Sequence, residues 1–114
     1  MNKNKNRGSL FEREIVKALR YHGHRFAERA YGAGRPDDVG DISGVLGGRV
    51  VIEAKDCKAF DLSGWLAEAE KERINARADY GVVVAKRRGK SAQSAYAILT
   101  LDTLARLLKE IENA

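Results

Sequence analysis

Asp41, Glu53 and Lys55 are the residues of this chain whose types and spacing most plainly suggest chemistry. They punctuate the run Asp41-Ile42-Ser43-Gly44-Val45-Leu46-Gly47-Gly48-Arg49-Val50-Val51-Ile52-Glu53-Ala54-Lys55, which otherwise reads as a β-hairpin turning at Gly47-Gly48. Acidic and basic groups are depleted from strands and costly to bury unpaired, so three of them framing one hairpin need a partner. A divalent cation together with a phosphate is a partner of that kind.

Glu53 and Lys55 are two apart on a strand, so their side chains leave the same face with Cα atoms about 7 Å apart. Val51 starts that face, while Val50, Ile52 and Ala54 line the other. A solvated sheet edge has the same pattern, and the tripeptide alone does not separate the two. Glu12 sharpens the choice. At about 100° per residue, Phe11, Ile15, Val16, Ala18 and Leu19 form the apolar arc of a first helix. Glu12 falls inside that arc, whereas Glu14 projects with Lys17 and Tyr21 on the far side. Two roles are open to Glu12: reaching back to the Ser9 amide in a capping box, or reaching the charged end of the hairpin to join a metal site.

Hairpin register decides whether Asp41 joins them. A two-residue turn at Gly47-Gly48 pairs Leu46 with Arg49 and sets Asp41 opposite Ala54, on the wrong face for Glu53. A bulged three-residue loop of Gly47, Gly48 and Arg49 pairs Leu46 with Val50 and sets Asp41 opposite Lys55. The expectation is the bulged loop, or an Asp41 lying just before regular pairing begins.

Caps, periodicity and glycines predict the elements that hold these groups. Ser9 with Glu12 opens the first helix and Gly23 closes it as a left-handed cap. His24 to Arg29 alternates weakly as a first strand, and Ala30 to Asp38, with Gly32, Gly34 and Pro36, is a loop. After the hairpin, Ser63 caps a helix from Gly64 to Ala78, on which Glu70, Arg73 and Arg77 share a stripe suited to internal ion pairing or to facing the sheet edge or a partner subunit. Gly81-Val82-Val83-Val84-Ala85 reads as a strand buried on both faces, and Tyr96 to Leu99 as another. Thr100 or Asp102 starts a last helix carrying Leu104, Leu107, Leu108 and Ile111. The order αβββαββα predicts an α/β domain with a mixed sheet flanked by helices.

A chain of 114 residues can bury about two thirds of the surface its unfolded form exposes. Residues 1–8 are expected to be a flexible basic arm and residues 9–114 a single domain. Cys57 is the only cysteine, which excludes an internal disulfide and fits a reducing, cytoplasmic setting; no leader and no membrane span are expected. Cys57 has no assigned base, and His22 and His24 sit two apart at a helix end without cysteine ligands, so neither suggests a further site.

Net charge is +5 and the isoelectric point is near 9.5. Lys3, Lys5 and Arg7 form one basic cluster and Lys86, Arg87, Arg88 and Lys90 another, with Arg29 and Arg35 beside the glycine-rich loop. Such clusters displace counterions from a phosphate backbone, as nucleic-acid binders do. From charge alone a solvated basic face reads the same.

Asp41-Ile42 followed by Glu53-Ala54-Lys55 resembles the Asp, Glu-x-Lys signature of the PD-(D/E)XK nuclease superfamily. Gly8-Ser9-Leu10-Phe11-Glu12-Arg13-Glu14, the helix break at Gly23, the Gly32-Ala33-Gly34 loop and Val84-Ala85-Lys86 extend the likeness, over about residues 7 to 86, to the archaeal-type Holliday junction resolvases. This resemblance implies a restriction-endonuclease-like core and a metal-dependent DNA endonuclease that acts on four-way junctions as a homodimer. It implies an active-site set of Glu12, Asp41, Glu53 and Lys55. It also implies Mg²⁺, with Mn²⁺ substituting, held by Asp41, Glu53 and the Ala54 carbonyl, with Glu12 orienting a metal water or helping to bind a second ion.

The chain departs from the family pattern at two places. Ala33 stands where the family's loop often carries serine, and the literal Pro-Asp pair is Pro36-Asp37, so Asp37 and Asp38 rival Asp41 as ligands. Asp41 is preferred because an apolar strand starts directly after it. A related nuclease for other branched or duplex DNA is an alternative; so is a non-catalytic DNA-binding module, in which one of the four residues would be lost. None is lost. Phe60, Trp65, Leu66 and Tyr80 are the candidates for a dimer interface.

Overall fold

Helix α1 (Lys3–Tyr21) begins six residues before the expected cap at Ser9. The structure, a computed structural model, describes residues 3–30 and 39–114, with side chains from residue 8 onward. Ser9 therefore lies inside the helix, where the amides it would cap are bonded to the preceding turn. Its hydroxyl instead accepts Arg29 Nη2 at 3.3 Å. Residues 3–8 belong to this helix, with Lys3, Lys5 and Arg7 on its opening turns. Gly23 does close it. With φ at +95°, Gly23 lets its own N–H reach Arg20 O and the His24 N–H reach Leu19 O, both at 3.0 Å.

Strand β1 (Glu28–Arg29) is shorter than expected, because the chain from His24 to Ala27 is a turn closed by Ala27 N–H on His24 O at 3.1 Å. Strands β2 (Ile42–Val45) and β3 (Val50–Lys55) form the hairpin. Helix α2 (Leu62–Ala76) starts one residue before Ser63 and is capped by Asp61, whose carboxylate accepts Gly64 N–H at 3.1 Å. Strands β4 (Tyr80–Ala85) and β5 (Tyr96–Ile98) follow, and helix α3 (Leu101–Asn113) is capped by Thr100.

The sheet order is β1-β2-β3-β4-β5, antiparallel except for the parallel β3–β4 pair that α2 connects. This is the mixed α/β sheet with flanking helices that the sequence predicts. Each sheet face has its own apolar cluster. Phe11, Ile15 and Val16 of α1 pack on Ile42, Val45, Val50, Ile52 and Tyr80, while Trp65 and Ala69 of α2 pack on Val83 and Ala85. In register, Glu53 neighbours Val83 and Lys55 neighbours Ala85, so both charged residues project towards α2.

Tyr80 belongs to this core rather than to a surface available for assembly. It is buried, and its hydroxyl donates to Glu110 of α3. Trp65 is likewise buried, stacked obliquely on half-exposed Phe60. No helix of the described residues is long and apolar enough to cross a membrane.

Candidate active site

The hairpin reaches the geometry that Asp41 needs by a different route from the one expected. Val45 pairs with Val50 and Ile42 with Ile52, so three steps along β2 match two along β3 and the irregularity lies within β2, not in the loop. Gly44 makes this possible. Its φ is +84°, and a Cβ there would lie 2.0 Å from Phe26 O, so no other residue fits against the chain entering β1. Just beyond the Ile42–Ile52 pair, the Asp41 carboxyl meets that of Glu53. Asp41 itself lies just before the strand. Its backbone N–H donates to Ile52 O at 2.9 Å, and its Oδ2 accepts the Ala54 N–H at 2.9 Å.

Glu53 is the most constrained of the group, with 6% of its surface exposed. Its carboxyl meets those of Glu72 and Asp41, and its Oε2 is buried with no hydrogen-bond partner among the described residues. Burial, then contact with Glu72, push its pKa up to about 8, against the opposing effect of the Asp41 contact. Carboxyl groups brought this close offer acceptor oxygens to one another, so a proton or a cation between them is what holds Glu53 in place.

Lys55 points the same way as Glu53, and its ammonium pairs with Glu68 Oε1 of α2 at 2.7 Å. Burial alone would lower its pKa, but the Glu68 contact and the charges of Glu53, Glu68 and Asp41 outweigh burial and raise it. The group is a cation throughout the neutral range.

Glu12 approaches from α1. Its Oε1 accepts Arg29 Nε at 3.0 Å, and burial, only partly offset by Arg29, raises its pKa with a further contribution from the charge of Asp41. A capping role for Glu12 is excluded by the helix starting at Lys3. Arg29, expected among the DNA contacts, is engaged by Glu12 and Ser9.

Two carboxylates at this centre are absent from the set that the sequence suggests. Glu68 and Glu72 of α2 each bring an oxygen to Glu53, with the three ligand atoms within 4.8 Å of one another. Glu72 is 1% exposed. The helical period carries a signal for it, because Trp65, Ala69 and Glu72 share the face that packs on the sheet. The stripe that stands out in the sequence is instead the one with Glu70 and Arg73, which form a surface i,i+3 ion pair at 2.6 Å.

The second basic cluster is joined directly to this centre. The Lys86 N–H donates to Lys55 O at 2.9 Å, so the turn carrying Lys86, Arg87, Arg88 and Lys90 leaves β4 beside the end of β3. Lys86 Nζ lies 5.9 Å from the Phe11 ring centre, and the Arg87 guanidinium 5.2 Å from that of Tyr96. Arg88 and Lys90 are exposed. Arg35, the rival ligands Asp37 and Asp38, and the Gly32-Ala33-Gly34 loop lie outside the described residues, as do the side chains of Lys3, Lys5 and Arg7.

The donor atoms at this centre are carboxylate oxygens, with a lysine beside them. Oxygen donors suit a hard divalent cation, and the unpartnered Glu53 Oε2 fits one. Among curated proteins and solved structures none matches the chain. A family model for the archaeal Holliday junction resolvase (Hjc) matches residues 3–63, more than half of the chain, from the start of α1 through β3 to the first residues of α2. Glu12, Asp41, Glu53 and Lys55 all fall within the match, on a mixed sheet flanked by helices as in a restriction-endonuclease-like core. The chain therefore belongs to the archaeal Holliday junction resolvase family and is a nuclease of that kind.

Proposed function

We propose that this chain is a metal-dependent endonuclease that hydrolyses phosphodiester bonds in four-way DNA junctions, with Asp41, Glu53, Lys55 and Glu12 as its active site. The observation that carries the reading is the buried Glu53 carboxyl, held against Asp41 at the mouth of the hairpin with Lys55 two residues on. Asp41 and Glu53 would hold Mg²⁺, or Mn²⁺ in its place. Ala54 would add its carbonyl, because a strand residue sends its N–H and C=O to the same edge and the Ala54 N–H already points at Asp41. When bound, the cation lowers the pKa of a water and neutralises charge on the scissile phosphate.

The chain's own residues supply the rest. Lys55, released from Glu68, would hold a phosphate oxygen as a fixed cation where charge develops. Glu12, oriented by Arg29, would accept a hydrogen bond from a water near Asp41. Lys86, Arg87, Arg88 and Lys90 would bind backbone phosphates beside the centre.

Two matched cuts need two such centres, and a domain of this size carries one. A two-fold dimer supplies both. Light scattering at micromolar concentration is expected to give about twice the 12.6 kDa chain mass, and a strict monomer with or without junction DNA would argue for a simpler nuclease. The direct test of function is incubation with Mg²⁺ and labelled junction, fork and duplex DNA, where preferential paired nicking of the junction is expected and equal cutting of all three would replace the junction as substrate.

A further inference from the structure

We infer that Glu53, Glu68 and Glu72 form a second divalent-cation site that shares Glu53 with the Asp41 site. The inference deepens the metal-dependent reading above and rests on it for the first ion only.

Three glutamates with ligand atoms within 4.8 Å would not by themselves make a site. Two further observations distinguish this group from an exposed acidic patch. Glu53 is 94% buried, its Oε2 has no hydrogen-bond partner among the described residues, and its carboxyl meets that of Glu72. Glu72, at 1% exposure, lies on the buried face of α2 with Trp65 and Ala69, where an apolar side chain would otherwise pack. A carboxylate buried as deeply as Glu53 calls for a charge of opposite sign.

Distance and charge agree with such a partner. Oxygens on one octahedral cation at about 2.1 Å lie about 3 Å apart when adjacent and about 4.2 Å apart when opposite, so ligand atoms already within 4.8 Å of one another close on an ion by side-chain rotation alone. The carboxylates of Asp41, Glu53, Glu68 and Glu72 together carry four negative charges when ionised, which two divalent cations balance once Lys55 has turned to phosphate. The ion would also take over Glu68 from Lys55 Nζ, now 2.7 Å away. Occupancy of this site would thus free the lysine for phosphate.

Mn²⁺ binding without DNA, counted from the electron paramagnetic resonance of the free ion, tests the assignment independently of catalysis. The wild-type chain is expected to bind two ions. Glu68→Gln should lose one of them or bind it at least ~10-fold more weakly, and Glu72→Gln should do the same. Glu68 is the safer variant for folding, since its side chain is 42% exposed. Asp41→Asn should keep the ion that Glu68→Gln loses. Wild-type stoichiometry and affinity in Glu68→Gln would overturn the inference, as would loss of all binding in Asp41→Asn. Junction cleavage at the wild-type rate by Asp41→Asn would instead defeat the Asp41 reading, leaving the count for Glu68→Gln to decide this one.

Discussion

Lys55 Nζ and Glu68 Oε1 form a 2.7 Å ion pair that ties the end of β3 to α2. Both side chains are partly exposed, so the pair is worth at most about 1 kcal/mol and is cheap to break. Lys55 is therefore available to a phosphate. Lys55→Ala is expected to lower junction cleavage at least ~100-fold, the scale of removing one fixed charge from a transition state, while junction affinity stays within a few-fold. Cleavage within a few-fold of wild type would remove Lys55 from the chemistry.

Glu53 makes stability depend on pH in a direction that can be stated. Its folded pKa of about 8 lies above the ordinary 4.5, so the folded chain binds more protons than the unfolded chain between those values. Stability is retained below the unfolded pKa and falls as pH rises through the folded one. In metal-free protein, the melting temperature should drop between pH 5 and 8.5 by more in wild type than in Glu53→Gln. At pH 8.5 the variant should melt higher, by about 4–8 °C if the relief is ~1 kcal/mol. Parallel pH curves for the two proteins would place the buried charge elsewhere. A divalent ion should reverse the order, because it stabilises only the ionised carboxylate.

Glu12 and Glu14 differ in direction on α1. Glu12 faces Arg29 and the charge of Asp41, whereas Glu14 takes no part in this group. Glu12→Gln should slow cleavage about 10-fold or more and Glu14→Gln should leave it unchanged, measured on one junction under saturating Mg²⁺. Equal rates for the two would reduce Glu12 to a structural anchor for Arg29.

Lys86, Arg87, Arg88 and Lys90 should govern affinity without regard to DNA shape. Replacing all four by alanine should weaken binding to junction, fork and duplex alike and reduce the slope of log affinity against log salt by about 0.9 for each phosphate no longer neutralised. An unchanged slope would mark the cluster as solvated surface.

Element order, the face on which Glu53 and Lys55 lie, and the inward turn of Glu12 were legible because each depends on a period of 2 or 3.6 in a short run. Boundaries were less so. Ser9 with Glu12 matches a capping box, but that pattern is read only if the helix starts there, and the polar run before it continues the helix into Lys3. The Asp41 and Glu53 carboxyls meet because of the irregularity in β2, which depends on Phe26 O pressing against Gly44, a contact 18 residues apart in sequence. Glu68 and Glu72 were not legible because a helix face reads as core or surface only once its partner is known. What brings them to Glu53 is the parallel β3–β4 crossover, which places α2 on that side of the sheet.

The most direct test of the centre is a labelled four-way junction incubated with wild-type protein and with Asp41→Asn, each with Mg²⁺ and with excess chelator, while binding is followed in parallel. Paired nicks on opposing strands are expected from wild type with Mg²⁺ alone, and none from Asp41→Asn, which should still bind the junction. Undiminished nicking by Asp41→Asn, or cutting that persists in chelator, would contradict a metal centre built on Asp41 and Glu53.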